Sequence, residues 1–151
     1  MRMKAAALAA AVSLSVVLAP TAAADPSVDK FGGWNHLVDN GRQVITVWKI
    51  YDLKPSTDTI PGYPVAGKLW EASAKVRAAK GSVTPIIPDF NARAGAANYP
   101  VLWQAATPEG ISGGTLQQGD SSWGKLYFEV TGPAPTQVVY NNGVDDLLVW
   151  K

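Results

Sequence analysis

The side chains that could carry out chemistry in this chain are limited by its lack of cysteine and by its single histidine, His36. Thiol catalysis and thiolate metal sites are therefore excluded. A structural zinc site needs four Cys or His ligands, so zinc would need carboxylates to fill in around His36. His36 could activate a serine, but no Gly-x-Ser-x-Gly elbow surrounds Ser112, Ser121 or Ser122. We therefore interpret His36 as a residue of the surface or of a strand edge.

Carboxylates are the remaining route to catalysis, because a glycosidase needs two of them about 5–9.5 Å apart across a cleft. The candidates fall on expected loops or on the solvent side of expected strands, where a solvated charge is ordinary: Asp52, Asp58, Glu71, Glu109, Asp120, Glu129, Asp145 and Asp146. Asp145-Asp146 resembles a loose calcium loop but lacks the spaced ligands of a dedicated site, so the end of a hairpin is favoured. With no glycine-rich phosphate motif either, we predict no catalytic residue, no metal site and no cofactor.

Aromatic residues suggest a binding function instead. Trp123 and Tyr127 alternate with the apolar Leu126 and Phe128, so they face the other way and could form an exposed platform for a sugar ring or a protein partner. Tyr63 lies in a rigid Pro-Gly-Tyr-Pro corner and is a third candidate for partner binding. Two alternatives stay open. Trp123 and Tyr127 could instead pack beneath the long loop at 107–120, and the corner that holds Tyr63 could be no more than a rigid turn.

The elements that must position these side chains are short strands. The longest clean alternation runs from Lys68 to Arg77, although its composition also suits a helix; the neighbouring turns favour a strand. Residues 43–53 are β-branched and aromatic and apolar on nearly both faces, as in a central strand. Asn40-Gly41 and Asn142-Gly143 mark tight turns.

Residues 25–31 are polar and contain a proline, so we expect them to form a loose leader. The total is about seven or eight strands with turn signals every 8–12 residues or so, which predicts an antiparallel sandwich or barrel. The spacing of the turns is uneven and several edges are marked by proline. Both features favour the sandwich.

The N-terminal 24 residues have the three parts of a secretory signal. Arg2 and Lys4 precede an apolar stretch, Ala5 to Leu18, and the small residues 22–24 form a cleavage site. An uncleaved anchor is the alternative, but the stretch falls short of the roughly 20 apolar residues of a membrane span. Cleavage leaves residues 25–151 as one domain of common size. We therefore expect a secreted, extracellular protein with no stable membrane anchor.

The charges of the chain argue against a polyanionic partner. Removing Arg2 and Lys4 from 13 basic residues leaves 11 against 12 acidic ones, with no basic run. Nucleic acid is therefore not an expected partner.

A series of motifs resembles one known family. The matching stretches are Trp48-Lys49, Asp52-Leu53-Lys54, residues 60–67, Trp70-Glu71-Ala72, residues 81–85, 90–93 and 101–106, Ile111-Ser112-Gly113, residues 130–133, Asn141-Asn142-Gly143 and Asp146-Leu147-Leu148. Together they cover about residues 44–150 and are similar to the mycobacterial secreted immunogenic proteins of the MPT-sixty-three type. The resemblance implies export, an immunoglobulin-like antiparallel β-sandwich, a strand at 68–77 and recognition by the host immune system. It supplies no catalytic residues.

The leading hypothesis is a non-catalytic extracellular binding or interaction module with an unidentified protein or carbohydrate partner. Two alternatives remain from the residues alone. One is a carboxylate-dependent hydrolase of cell-envelope carbohydrate. The other is a carrier of a small apolar ligand held between the sheets.

Overall fold

The computed structural model describes residues 24–105 and 107–151 of the chain, and these residues fold almost entirely as β-structure. The strands are β1 (Ser27–Asp29), β2 (Trp34–Asp39), β3 (Val44–Ile50), β4 (Lys54–Pro55), β5 (Lys68–Lys80), β6 (Phe90–Ala94), β7 (Ala97–Pro100), β8 (Ser121–Val130), β9 (Gln137–Asn141) and β10 (Asp146–Trp150). Two short 3-10 turns, Asn40–Arg42 and Ile87–Asp89, complete the elements. The predicted secretory signal is residues 1–24, and residues 1–23 of it lie outside the described residues.

The strands form two sheets that pack face to face. Sheet I has the order β1-β10-β9-β6-β7, and sheet II has the order β2-β3-β5-β8, with β4 pairing to β5 beyond the end of β3. Every pairing is antiparallel except that of β1 with β10. The predicted immunoglobulin-like antiparallel β-sandwich is confirmed.

The predicted strand at 68–77 is also confirmed and extends to Lys80 as β5. Its helix-forming residues adopt the extended conformation because β3 and β8 pair with its two edges, and tertiary pairing overrides intrinsic propensity. The alternation holds: Ala72, Ala74 and Val76 are fully buried against the core. These small side chains leave room for large aromatic residues on the facing sheet.

Aromatic side chains hold the two sheets together in place of a disulfide. The ring of Trp48 on β3 meets the ring of Phe90 on β6 edge to face, with 4.7 Å between centroids. The ring centroid of Phe90 in turn lies 5.1 Å from that of Tyr140, again edge to face. Trp150 is fully buried, and its indole N–H donates to the Gly33 carbonyl at 3.1 Å, so its polar atom is satisfied within the core.

The expectation of a loose leader at 25–31 is wrong. Residues 27–29 form β1, which runs parallel to β10 with Ser27 opposite Leu148. The buried Asn35 fixes this edge, because it accepts a hydrogen bond from the Ser27 hydroxyl at 2.7 Å and donates to the Val149 carbonyl at 3.3 Å. The composition of the segment gave no sign of this pairing, which depends on a strand 120 or so residues later.

The two predicted turns are present. Asn40, Gly41 and Arg42 all have positive φ and link β2 to β3 in a left-handed turn. Asn142-Gly143 begins the β9–β10 turn, in which the Asn142 N–H donates to the Asp145 carbonyl at 3.1 Å. Gly143 has a φ of 94°, a conformation that glycine adopts without steric cost.

Candidate functional site

Trp123 is the most exposed aromatic residue of the described chain, with 78% of its surface accessible. It lies on β8 and points away from the core, as the alternation predicted. Its strand partner on β5 is Lys75. Together with Tyr51 and Ser73 these two side chains border a shallow depression on the surface of sheet II. We call the solvent side of this sheet the outer face of sheet II.

Tyr127 does not form an exposed platform with Trp123, and this part of the prediction is corrected. Tyr127 points to the same side of β8, but it is 3% exposed. Its hydroxyl donates to Asp58 Oδ2 at 2.7 Å, and burial raises the pKa of the phenol, with Asp58 contributing. The segment that follows β4 covers this end of the strand, so Tyr127 packs beneath a loop. This loop is residues 56–58. Thr107 also lies beside the Tyr127 hydroxyl, so the alternative that this residue packs beneath the 107–120 loop holds in part.

A cluster of charged residues forms under the same segment. The Lys125 ammonium donates to Asp58 Oδ2 at 2.5 Å and to Glu71 Oε2 at 3.1 Å. The Ser56 hydroxyl donates to the same Glu71 oxygen at 2.5 Å. Lys54 adds an ion pair with Asp52 at 2.8 Å. We call these residues, with Tyr127, the Lys125 cluster.

Glu71 is the residue of this cluster that sequence reasoning placed wrongly. The sequence predicts a solvated carboxylate on the solvent side of β5. The Glu71 side chain does point to that side, but the residue is only 5% exposed. It lies opposite Lys54 of β4 and opposite Tyr127 of β8, so strands on both edges shield it. A buried carboxylate needs a charged partner and hydrogen bonds, and Lys125 and Ser56 provide them. In the sequence, the only hint of this burial is Lys54-Pro55-Ser56, a loop segment with a lysine and a serine that can partner a carboxylate.

Lys125 forms hydrogen bonds with both carboxylates of the Lys125 cluster. Asp58 and Glu71 are close together, but one ammonium bonds both of them. The hydrogen bond from Lys125, and then that from Tyr127, lowers the pKa of Asp58, so this carboxyl group stays ionised. A glycosidase needs one carboxyl group protonated as a general acid. Asp58 therefore does not provide the general acid that the hydrolase hypothesis requires.

The structure does not bring His36 together with Ser121. His36 is exposed on β2, and the register places Ser121 on the same face but three strand spacings away, about 14 Å. No hydrogen bond between the described residues joins His36 to a serine. Within residues 24–105 and 107–151, no group of three or more His, Cys, Asp or Glu residues could hold a metal ion.

Tyr63 lies in a different place from Trp123. It is half-buried in the corner before β5 and borders a cleft with Trp103 and Glu129. Burial, with the Glu129 carboxylate beside it, raises the pKa of Tyr63. Glu129 also accepts a hydrogen bond from the Ala66 N–H at 2.8 Å, which ties the corner to β8. The three residues predicted to bind a partner thus lie at three separate positions, and their role in binding stays a prediction.

A second cleft of about 280 Å³ lies at the side of β8, and its lining includes Ile87, Leu102, Trp103, Ile111 and Tyr127. Trp103 is 58% exposed there.

None of the helices in the described part of the chain is long and apolar enough to cross a membrane.

Comparison with known proteins confirms the resemblance seen in the sequence. A family model described as a domain of unknown function (DUF1942) matches residues 26–150. Immunogenic protein MPB63 of Mycobacterium bovis is 53% identical over 147 residues, which cover 96% of this chain and 92% of that protein. Immunogenic protein MPT63 of Mycobacterium tuberculosis matches with the same identity and coverage.

The fold agrees with this relationship. The crystal structure of MPT63, a secreted protein from Mycobacterium tuberculosis, matches with a TM-score of 0.81 and 55% identity, covering 85% of this chain and 99% of that one. The protein is therefore secreted and extracellular, as the sequence predicted. The chain belongs to the DUF1942 family and is a relative of the mycobacterial immunogenic proteins MPB63 and MPT63.

Proposed function

We propose that the protein is a non-catalytic extracellular binding module whose contact surface is the outer face of sheet II around Trp123. The observation that carries this proposal is the 78% exposure of a tryptophan on a regular, paired strand. An indole so placed offers a large apolar surface at little cost in conformational entropy, and tryptophan is enriched at the centres of binding sites. The depression beside it, with Tyr51 and Lys75, gives a partner a place to fit.

Two observations support the absence of catalysis. Two carboxylates that the fold brings together, Asp58 and Glu71, both form ion pairs with the same lysine, Lys125. The relatives MPB63 and MPT63 are named as immunogenic proteins, which describes recognition by a host and not a reaction. A hydrolase of cell-envelope carbohydrate is less favoured, because Lys125 pairs with both Asp58 and Glu71.

A carrier of a small apolar ligand between the sheets is also less favoured. The space between the sheets is filled by the rings of Trp48, Phe90, Tyr140 and Trp150. A ligand there would have to displace aromatic contacts worth about 0.5–1.5 kcal/mol per pair beyond their buried area.

The test is a pull-down of cell-envelope and host-cell components on the immobilised secreted protein, compared with its Trp123→Ala variant. Loss of captured material in that variant supports the proposal. Trp103→Ala is the matched control, because it removes an exposed tryptophan from the cleft beside Leu102 instead. Equal losses in both variants, or none in either, would contradict a contact surface at Trp123. Turnover of a broad hydrolase substrate panel, abolished by Asp58→Asn or Glu71→Gln, would overturn the non-catalytic role.

A further inference from the structure

Four residues on the outer face of sheet II form a straight row across the strands. Trp34 of β2 lies opposite Lys49 of β3, Lys49 lies opposite Lys75 of β5, and Lys75 lies opposite Trp123 of β8. The row therefore has a tryptophan at each end and two lysines between them. Three strand spacings separate the ends, which is about 14 Å. We call these four residues the Trp–Lys row.

The lysines of the row are not occupied by carboxylates. Among the described residues neither Lys49 nor Lys75 makes an ion pair, and the same holds for Arg77 next to them on β5. The Lys49 ammonium instead lies 5.1 Å from the ring centroid of Trp34 and 4.8 Å from that of Tyr51. Such contacts hold a cation in place without neutralising it. Lys49 therefore differs from Lys125, which forms ion pairs with two carboxylates.

The neighbouring row on the same face adds a cation and no acid. Its members, in strand order, are His36, Val47, Arg77 and Ser121. Two carboxylates border this region. Glu109 and Trp123 line a depression that Lys75 does not line. Asp52 accepts a hydrogen bond from the Ser73 N–H at 2.8 Å and forms an ion pair with Lys54. Around these two rows the outer face of sheet II is thus cationic, whereas its other end carries the carboxylates of the Lys125 cluster.

We propose that the Trp–Lys row binds an acidic oligosaccharide, with sugar rings stacked on the tryptophans and anionic substituents bound by Lys49 and Lys75. This inference rests on the proposed function of the same face. A flat row with aromatic ends suits a chain of rings, because each indole offers an apolar face to a ring. The central ammonium groups complement negative charge and give charge-assisted hydrogen bonds. Trp34 and Tyr51 hold the Lys49 ammonium at the centre of the surface before a ligand arrives.

Two other anionic partners fit the surface less well. A lipid surface would have to receive Trp34 and Tyr51 together with the Lys49 ammonium that lies against their rings, and burying that charge in acyl chains is costly. Nucleic acid binding requires several cations that track a regular line of phosphates. Lys49, Lys75 and Arg77 do not form such a line, and no further basic run extends it.

Calorimetric titration of the secreted protein with a galacturonic acid hexamer, and with its uncharged methyl ester, tests the inference. We expect the acidic hexamer to bind and the ester to bind at least about tenfold more weakly, because the charge-assisted bonds are lost. Lys75→Gln and Trp123→Ala should each weaken binding of the acidic hexamer by about tenfold. Lys68→Gln, an exposed lysine of the same strand outside the row, is the matched control and should leave affinity unchanged.

The outcomes separate this inference from the proposed function. Equal binding of hexamer and ester that depends on Trp123 would keep the binding surface and overturn the acidic ligand. So would preferential binding of anionic phosphatidylglycerol vesicles or of a single-stranded oligonucleotide through Lys75. If no acidic hexamer binds while the Trp123-dependent pull-down succeeds, only the ligand class fails. If both experiments are insensitive to Trp123, both proposals fail.

Discussion

The Lys125 ammonium lies 2.5 Å from Asp58 Oδ2, a residue 67 positions earlier in the chain. The contact joins the loop after β4 to the middle of β8, and so closes a cover over this end of sheet II. Glu71 lies beneath that cover with its own bond to Lys125 at 3.1 Å. The same contact that buries Tyr127 and Glu71 leaves Trp123 outside, so it sets the boundary of the exposed surface.

Replacing Lys125 with methionine should lower the free energy of unfolding by about 2 kcal/mol, because it leaves the buried Glu71 carboxylate without its main cationic partner. Denaturant titration measures the change as a lower midpoint at an unchanged m-value. Lys54→Met is the matched control: Lys54 lies 3.9 Å from the same carboxylate but its side chain is 54% exposed. It should change stability little. Equal effects of the two substitutions would contradict a buried pair centred on Lys125.

Acid should weaken the cover through Asp58. Its pKa in the folded protein is lowered, first by the hydrogen bond from Lys125 and then by that from Tyr127. A depressed folded pKa contributes stability that is present above the unfolded value of about 3.9 and is lost as the pH falls through the folded value. We therefore expect the free energy of unfolding to fall between about pH 5 and pH 2, and Asp58→Asn to flatten this slope.

Urea titrations at several pH values measure this slope. The control is Asp25→Asn, because Asp25 makes no ion pair among the described residues. If the curves for the parent protein and Asp58→Asn run parallel from pH 5 to pH 2, the lowered pKa of Asp58 does not contribute to folding.

The strands with local signals could be predicted from the sequence, and β1 could not. Apolar and polar residues alternate over the first ten residues of β5, and Asn-Gly pairs mark the β2–β3 and β9–β10 turns. For these elements the local sequence is enough to predict the structure. β1 has no such pattern. It forms because β10 has a free edge and Asn35 bridges the two, which is a property of the assembled sandwich.

The same distinction applies to the candidate site. Alternation places Trp123, Tyr127 and Glu71 on the outer face of sheet II, and for Trp123 exposure followed. Tyr127 and Glu71 are buried because residues 54–58 fold over them, and no periodicity within β5 or β8 reports on a distant loop. The Trp–Lys row likewise depends on the register of four strands, which a one-residue slip would destroy.

The pair of Arg93 and Asp146 should stabilise the β9–β10 hairpin. Two guanidinium nitrogens donate to the two carboxylate oxygens at 2.6 and 2.8 Å, and the Asn141 amide donates to the same carboxylate. Arg93→Lys keeps the charge but loses the two-point contact, so we expect a loss of about 1 kcal/mol. Hydrogen exchange should be faster at the turn amides of Gly143 and Val144 than in the parent protein. Unchanged exchange there would show that a single charge is sufficient.

Gly124, the single glycine of β8, should not tolerate a side chain, because the backbone of residues 109–111 lies directly against it. A Cβ atom at this position would lie 2.6 Å from the Ile111 nitrogen and 2.9 Å from the Glu109 carbonyl oxygen, both backbone atoms that cannot turn aside. Gly124→Ala should therefore push residues 109–111 away from β8 and lower the free energy of unfolding by about 2 kcal/mol. Denaturant titration measures the loss.

Gly113→Ala is the matched control for Gly124→Ala, since a Cβ atom there would meet its nearest neighbours, in Pro85 and Ile87, at an ordinary 3.5 Å. It should leave stability unchanged within about 0.5 kcal/mol. The displaced segment also carries Pro108 and Glu109, which border the depression beside Trp123, whereas Lys49 and Lys75 lie on the far side of that residue. Binding of an acidic oligosaccharide should therefore survive Gly124→Ala better than it survives Lys75→Gln. The reverse order would move the contact surface from the Trp–Lys row to the 108–110 side of Trp123.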